Sequence, residues 1–244
     1  MKAIRFDKYR KRGAYHWKEC RRNLRNYLEY NPALEARYRI VVESVRTNPG
    51  GSLLDVGCGD GYLLSQLAGS IDEGIGIDSE EEAVRVGSQM LGDLQHCSLQ
   101  MNVCYDLPFE DARFDWVTST DVIEHLEDPA QHLAEIARVL KPGGRLVLTT
   151  PKYRPDRMWD ERHVQEFKAE KLRGLLDQYF SEVEMRFFWP RWASRIYETK
   201  VGWRIVKFAG IMGLNPFNVV GRSPKRYGQN FASCRKSATS DQTN

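Results

Sequence analysis

The sequence lacks any run of about 18 apolar residues, and its best stretch, Val201 to Leu214, is interrupted by Arg204 and Lys207. No transmembrane helix is therefore expected. The basic segment Met1 to Arg12 has no apolar stretch behind it, so no signal peptide is expected either. Cysteine is sparse: Cys20, Cys58, Cys97, Cys104 and Cys234 are odd in number, scattered, and form no C-x-x-C pair. That argues against a disulfide framework and a thiolate zinc site, so no metal is expected and a reducing cytoplasm is the simplest home. The missing Pro-Cys dipeptide argues against a nucleophilic cysteine for chemistry at C5 of a base. There is no internal repeat and no low-complexity tract.

What is present fits one decorated domain. The chain has 244 residues, 41% hydrophobic and 28% charged, which is enough for a packed core. Its net charge of +3 is unevenly spread. Residues 1–39 hold 12 Lys/Arg against 4 Asp/Glu, and residues 186–244 hold 11 against 2, around an acidic middle. The plain reading is solvated helix faces; the sharper one is contact with an anionic substrate, membrane or RNA.

Short apolar runs alternate with amphipathic segments. Strands are expected at Ser52–Val56, Gly74–Asp78, Leu99–Cys104, Phe114–Ser119, Arg145–Thr150, Ser181–Phe188 and Asn230–Lys236. Helices are expected at Tyr62–Ala68, Glu80–Leu91 with Ser79 as N-cap, Pro129–Leu140 and Ala169–Tyr179. This rhythm implies an α/β fold: a doubly wound, mostly parallel, seven-stranded Rossmann-like sheet. Residues 1–48 form an N-terminal arm, mobile over 1–13, and a helical cap. Residues 49–238 form the main domain, with 189–228 a basic, aromatic insertion before the last strand, and 239–244 a disordered tail.

The central motif is Leu53-Leu54-Asp55-Val56-Gly57-Cys58-Gly59-Asp60-Gly61. An apolar strand delivers a carboxylate and then alternating glycines, which permit a tight turn and close backbone approach by a ligand. The G-x-G-x-G spacing departs from the dinucleotide G-x-G-x-x-G pattern. Asp78, at the end of the second strand, is placed to accept ribose hydroxyls. Asp55 repels phosphate but suits a cation. Together these point to an adenosine ligand without a pyrophosphate; the plainer reading is a strand-end cap and turn glycines.

These residues resemble those of class I S-adenosylmethionine (SAM)-dependent methyltransferases, of the type 11-like branch that modifies small molecules. LLDVGCGDG, GIGIDSE, NVCYDLPFEDARFDWVTSTDVIEHLEDP, RVLKPGGRLVLTTP and HVQEFKAEKLRGLLDQYF carry the resemblance over about 130 residues. The resemblance implies SAM as cofactor. Gly57, Cys58, Gly59 and Gly61 would line its methionine part, Asp55 would help hold its amino group, and Asp78 would take the ribose. Asn102 would sit near the adenine amine, and Thr120 and Asp121 beside the methionine moiety; Asp121 is equally readable as a helix cap.

A hydroxyl acceptor also needs a base within hydrogen-bond reach. His125, in Glu124-His125-Leu126, ranks first, His163 second, and His16 follows in the arm. Glu124 either orients a histidine or faces solvent. The resemblance implies that the arm (Phe6, Tyr9, Arg12, Tyr15, His16, Trp17) and the insertion (Trp189, Arg191, Trp192, Arg195, Tyr197, Trp203, Arg204, Lys207, Phe208) build the acceptor pocket. Aromatics beside cations suit a glycan, glycolipid precursor or other anionic small molecule. Ile205, Phe208 and Met212 share one helical face, and Lys200, Arg204, Lys207 and Ile211 a neighbouring one. Such a helix either packs as a lid with its basic face in water or contacts a membrane through 200–214. An RNA methyltransferase is disfavoured, because Ser119-Thr120-Asp121 stands where an NPPY-like tetrapeptide belongs and no RNA-binding module is appended. A non-catalytic SAM-binding protein would show a spoiled cofactor motif, and this one is intact.

Overall fold

Strands that carry apolar residues on both faces must be covered on both faces. The computed structural model, which describes residues 8–156 and 158–238, shows this arrangement. Its seven strands are β1 (Ser52–Val56), β2 (Glu73–Asp78), β3 (Cys97–Met101), β4 (Phe114–Thr120), β5 (Leu140–Pro151), β6 (Glu182–Pro190) and β7 (Tyr227–Arg235). They form one sheet in the order β3-β2-β1-β4-β5-β7-β6. Neighbours from β3 to β5 pair in parallel, while β7 runs antiparallel to both β5 and β6.

Successive residues of each central strand feed opposite layers. Leu53, Trp116 and Val147 face a cluster with α3 (Pro32–Arg46), α4 (Tyr62–Leu67) and α5 (Glu81–Leu91). Leu54, Val117, Leu146 and Leu148 face α6 (Pro129–Val139) and α7 (Ala169–Leu176). Each fully buried aliphatic or aromatic side chain contributes about 1.5–3 kcal/mol. From β1 the chain winds outward to β2 and β3, then returns to β4 on the other side. The crevice between the carboxyl ends of β1 and β4 is thus the topological switch point, where open α/β sheets bind ligands.

Several expectations are corrected. Ser79 is not the cap of α5: Glu80 holds that position, and Asp78 Oδ1 receives its backbone N–H at 2.9 Å. The third strand ends at Met101, because Asn102 turns the chain by accepting Val103 N–H on its own Oδ1 at 2.7 Å. The arm is ordered over its described part. There α1 (Lys8–Arg12) and α2 (Tyr15–Glu19) carry Tyr9, Tyr15 and His16 into the interior. Phe6, with the rest of residues 1–7, and the tail 239–244 lie outside the described residues. Pro32 opens α3 beneath the Asn31 cap, whose Oδ1 accepts Leu34 N–H.

The insertion folds into α8 (Arg191–Tyr197) and α9 (Gly202–Ile211), and Ala193, Val206 and Phe217 pack with Ala36 of α3. The faces of α9 are the reverse of the expected lid. Gly202, Val206, Lys207 and Gly210 are buried, and the Lys207 ammonium donates to the Leu28 carbonyl. Ile205, Phe208 and Met212 are 61%, 57% and 59% exposed. Gly210 lets the helix approach close to Tyr30, and Gly202 fits against the Ile196 carbonyl, so the small face packs and the larger apolar one is left outside.

Candidate cofactor site

The turn after β1 is built on glycine from necessity. Gly57, Gly59 and Gly61 have φ of +76°, +55° and +70°, a region that side chains rarely adopt. A Cβ on Gly57 would lie 2.3 Å from Val122 Cγ2, and one on Gly59 2.3 Å from the Tyr9 hydroxyl oxygen. The turn is tied to β2, since Gly57 and Cys58 N–H both donate to Ile77 O, at 2.8 and 3.0 Å. Asp78 closes the ring by accepting Gly59 N–H on Oδ2 at 2.8 Å. Burial pushes the Asp78 carboxyl above its ordinary range, against the pull of these backbone N–H groups.

A cavity of about 390 Å³ opens at this edge, within the size range of small-molecule sites, about 300–1,000 Å³. It brings together Gly57, Asp78, Asn102, Thr120, Asp121 and His125. The Thr120 hydroxyl oxygen is buried with no partner among the described residues, an atom in need of a ligand. Asp121 is not a helix cap. It takes a left-handed φ of +52°, accepts Thr149 Oγ1–H at 2.8 Å and pairs with the Arg37 guanidinium at 2.7 Å. Asp128 caps α6 instead, accepting Gln131 N–H at 2.9 Å.

Asp55, Cys58, Gly59, Gly61 and His163 do not line the cavity. Asp55 is buried at the register position facing Thr118, whose hydroxyl donates to its Oδ1 at 2.7 Å. Burial raises its carboxyl to about 7. Cys58 packs toward Gly76 of β2, where burial pushes its thiol up. Gly61 supports α4 against Leu91 and Leu99.

The opposite wall comes from the arm and α3: Lys8, Tyr9, Tyr15, His16, Arg37 and Tyr38. Asp60, fully buried, anchors the arm by accepting His16 N–H at 3.0 Å and meeting its Nδ1 at 2.8 Å. The Asp60 carbonyl also accepts Trp17 Nε1–H at 2.8 Å. His16 is therefore a structural clamp, and burial holds its imidazole below the ordinary range. Neither Asp60 nor Arg37 was expected. A signal for Arg37 does exist: Leu34, Arg37, Tyr38, Val41, Val42 and Val45 share one helical face, which puts a cation on an apolar stripe. No residue of 189–228 lines the cavity. The insertion acts behind it, where Trp189 donates Nε1–H to Ala33 O and sits 5.4 Å from the Arg37 guanidinium.

On the far side, His125 ends a 3₁₀ turn, Ile123–His125, just after β4. Its Nδ1 is 3.1 Å from Arg162 O and its ring centroid 4.9 Å from that of His163. Burial, with a smaller contribution from His163, lowers its pKa. His163 Nδ1 lies 2.9 Å from Glu166 Oε1. Glu124 is 1% exposed and so does not face solvent; it accepts Thr150 Oγ1–H on Oε2 at 2.8 Å. Burial raises its carboxyl well above the ordinary range.

Comparison with known proteins agrees with this geometry. The family described as "Methyltransferase domain" matches residues 54–148. A demethylmenaquinone methyltransferase of Staphylococcus saprophyticus is 33% identical over 198 residues, covering 68% of this chain and 84% of that protein. The chain spans 34%, 66% and 53% of the length of the first three curated relatives it matches. Among solved structures, the YcgJ protein of Bacillus subtilis shares the fold with a TM-score of 0.62 at 18% identity, over 83% of this chain and 99% of that one. Phosphoethanolamine N-methyltransferase 2 of Haemonchus contortus, solved with S-adenosyl-L-methionine, gives 0.66 at 16% identity, over 96% of this chain and 60% of that one. A mostly parallel sheet with its glycine turn, an acidic second strand end and a cavity at the switch point thus meets a family match over the same residues, and the chain belongs to the class I SAM-dependent methyltransferases.

Proposed function

We propose that the protein transfers the methyl group of SAM to an oxygen or nitrogen of a small-molecule acceptor, one that carries negative charge or sugar. The observation that carries this reading is the ring of Gly57, Asp78, Thr120 and Asp121 around a single cavity, with Lys8, Arg37 and His125 on its other walls. When bound, SAM supplies a methyl on a sulfonium, activated toward a nucleophile. The residues fit it: Gly57 lines the cavity with its backbone alone, and the Thr120 hydroxyl lacks a partner among the described residues. Asp78 would hold the ribose hydroxyls and Asn102 would lie at the adenine. Arg37 and Lys8 would meet carboxylate, on the cofactor or the acceptor, by charge. Tyr9, Tyr15 and Tyr38 exclude water from the reacting atoms, and the arm that carries the first two is pinned by Asp60. His125 stands where the acceptor's proton must leave, with His163 behind it.

The test is transfer of labelled methyl from SAM to extracted metabolites by the full chain. The expected result is label in an anionic or glycosylated small molecule, with His125→Ala slowing transfer at least tenfold while cofactor binding stays normal. Label in RNA, or an unchanged rate in the variant, would contradict the reading.

The place of work is a second matter. Among the described residues no helix is long and apolar enough to cross a membrane. The exposed row Val201, Ile205, Phe208 and Met212, bordered in sequence by Arg204, supports peripheral contact with an anionic membrane surface.

A further inference from the structure

We infer that Glu124, His125 and His163 form a binding site for a divalent transition-metal cation beside the cofactor cavity. One ligand atom from each of the three lies within 4.8 Å of the others. The group is assembled from two separate segments. Glu124 and His125 belong to the turn after β4, and His163 to the loop between β5 and α7. Val164 and Gln165 N–H both donate to Glu124 O, at 2.9 and 3.2 Å, and pin the two segments together.

Two further observations point to a ligand. Glu124 Oε1 is buried with no partner among the described residues, while Oε2 is satisfied by Thr150. Both imidazoles are oriented through Nδ1, His163 by the Glu166 carboxylate and His125 by the Arg162 carbonyl. Glu166 is itself fixed by Trp159 N–H at 2.6 Å. A carboxylate or carbonyl on Nδ1 is the arrangement that presents Nε2 of a histidine to a metal. Metal–nitrogen bonds of about 2.1 Å would draw the ligand atoms to roughly 3.4 Å apart, a small side-chain rotation from their present positions. Two imidazoles and one carboxylate suit Zn²⁺, Co²⁺ or Fe²⁺ rather than Ca²⁺ or Mg²⁺, and leave open coordination positions.

The catalytic consequence rests on the methyltransferase reading, with His125 acting as a ligand of the cation in place of its role as proton acceptor. Of the three, His125 lines the cavity, so a cation on its ring would border that space, where an acceptor hydroxyl would coordinate it. Coordination acidifies that hydroxyl, and its proton passes to solvent. The oxygen then forms a bond to the methyl carbon as the carbon–sulfur bond breaks, and sulfur keeps the electron pair.

The test uses the full-length, tag-free chain, stripped with chelator and titrated with Co²⁺. The expected result is one bound equivalent with visible d–d absorption, displaced by Zn²⁺. His163→Ala and Glu124→Gln should each weaken uptake at least tenfold, while His96→Ala, at a remote exposed histidine, leaves it intact. SAM binding measured on the same samples reports whether each variant is folded and reads the cofactor proposal separately. No cobalt uptake by the wild type, or uptake that survives both substitutions in folded protein, overturns the site.

Discussion

At the scale of single residues, direction matters as much as identity. Asp55 and Asp78 are both strand-end carboxylates beside the glycine turn, yet only Asp78 lines the cavity. The register of β1 against β4 sets Asp55 opposite Thr118, and that pairing spends its carboxylate inside the sheet. A single sequence does not carry strand register, which is why the two acids look alike before the fold is known. Burial lifts the Asp55 carboxyl from its ordinary value to about 7, whereas the unfolded chain ionises it near pH 4. Between about pH 4 and 7 the folded state therefore holds a proton that the unfolded state has released. Its contribution to stability is complete below that window and is lost as pH rises through it, by at most ~4 kcal/mol. Asp55→Asn keeps the acceptor for Thr118 and removes the ionisation. In thermal melts from pH 4 to 8 the variant should lose several degrees less than the wild type across the window; parallel pH profiles would show that Asp55 is not the buried acid described.

Among the elements, the strands and their covering helices are legible because their period is strong, and a mostly parallel, doubly wound sheet follows from their alternation. The N-terminal arm is not. Its short helices gain their order from Asp60, more than 40 residues away, through hydrogen bonds that no local pattern announces. Helix α9 misleads for another reason: it is apolar nearly all round, so periodicity finds a stripe but cannot say which side packs. The small residues Gly202 and Gly210 decide it by allowing close approach, and Phe208 and its neighbours are left in water. Exposed apolar residues in a helical row beside arginines partition into interfaces. The full chain should co-sediment with phosphatidylglycerol vesicles more strongly than with phosphatidylcholine ones. Phe208→Asp with Ile205→Asp should reduce binding at least tenfold without changing the melting temperature. Equal sedimentation of variant and wild type would place the face elsewhere.

For the whole molecule, the topology does the chemical work of convergence. Segments as distant as Lys8, Arg37, Gly57, Asp78, Thr120 and His125 meet only because the chain reverses its winding between β1 and β4. One wall of that cavity is readable in the glycine motif and the acidic end of β2. Of the other wall, Tyr9, Tyr15 and His16 of the arm are readable as pocket residues, whereas Arg37 reaches it through the tertiary packing of α3, and the aromatic insertion braces Arg37 from behind rather than lining the cavity. The measurement that bears most directly on the account is calorimetric titration of the purified chain with SAM. Saturable binding at one site is expected, with Asp78→Ala weakening affinity at least a hundredfold while circular dichroism shows the fold retained and melting falls by only a few degrees, from the lost bonds to Gly59 and Glu80 N–H. No heat of binding in the wild type, or unchanged affinity in the folded Asp78→Ala protein, would contradict it.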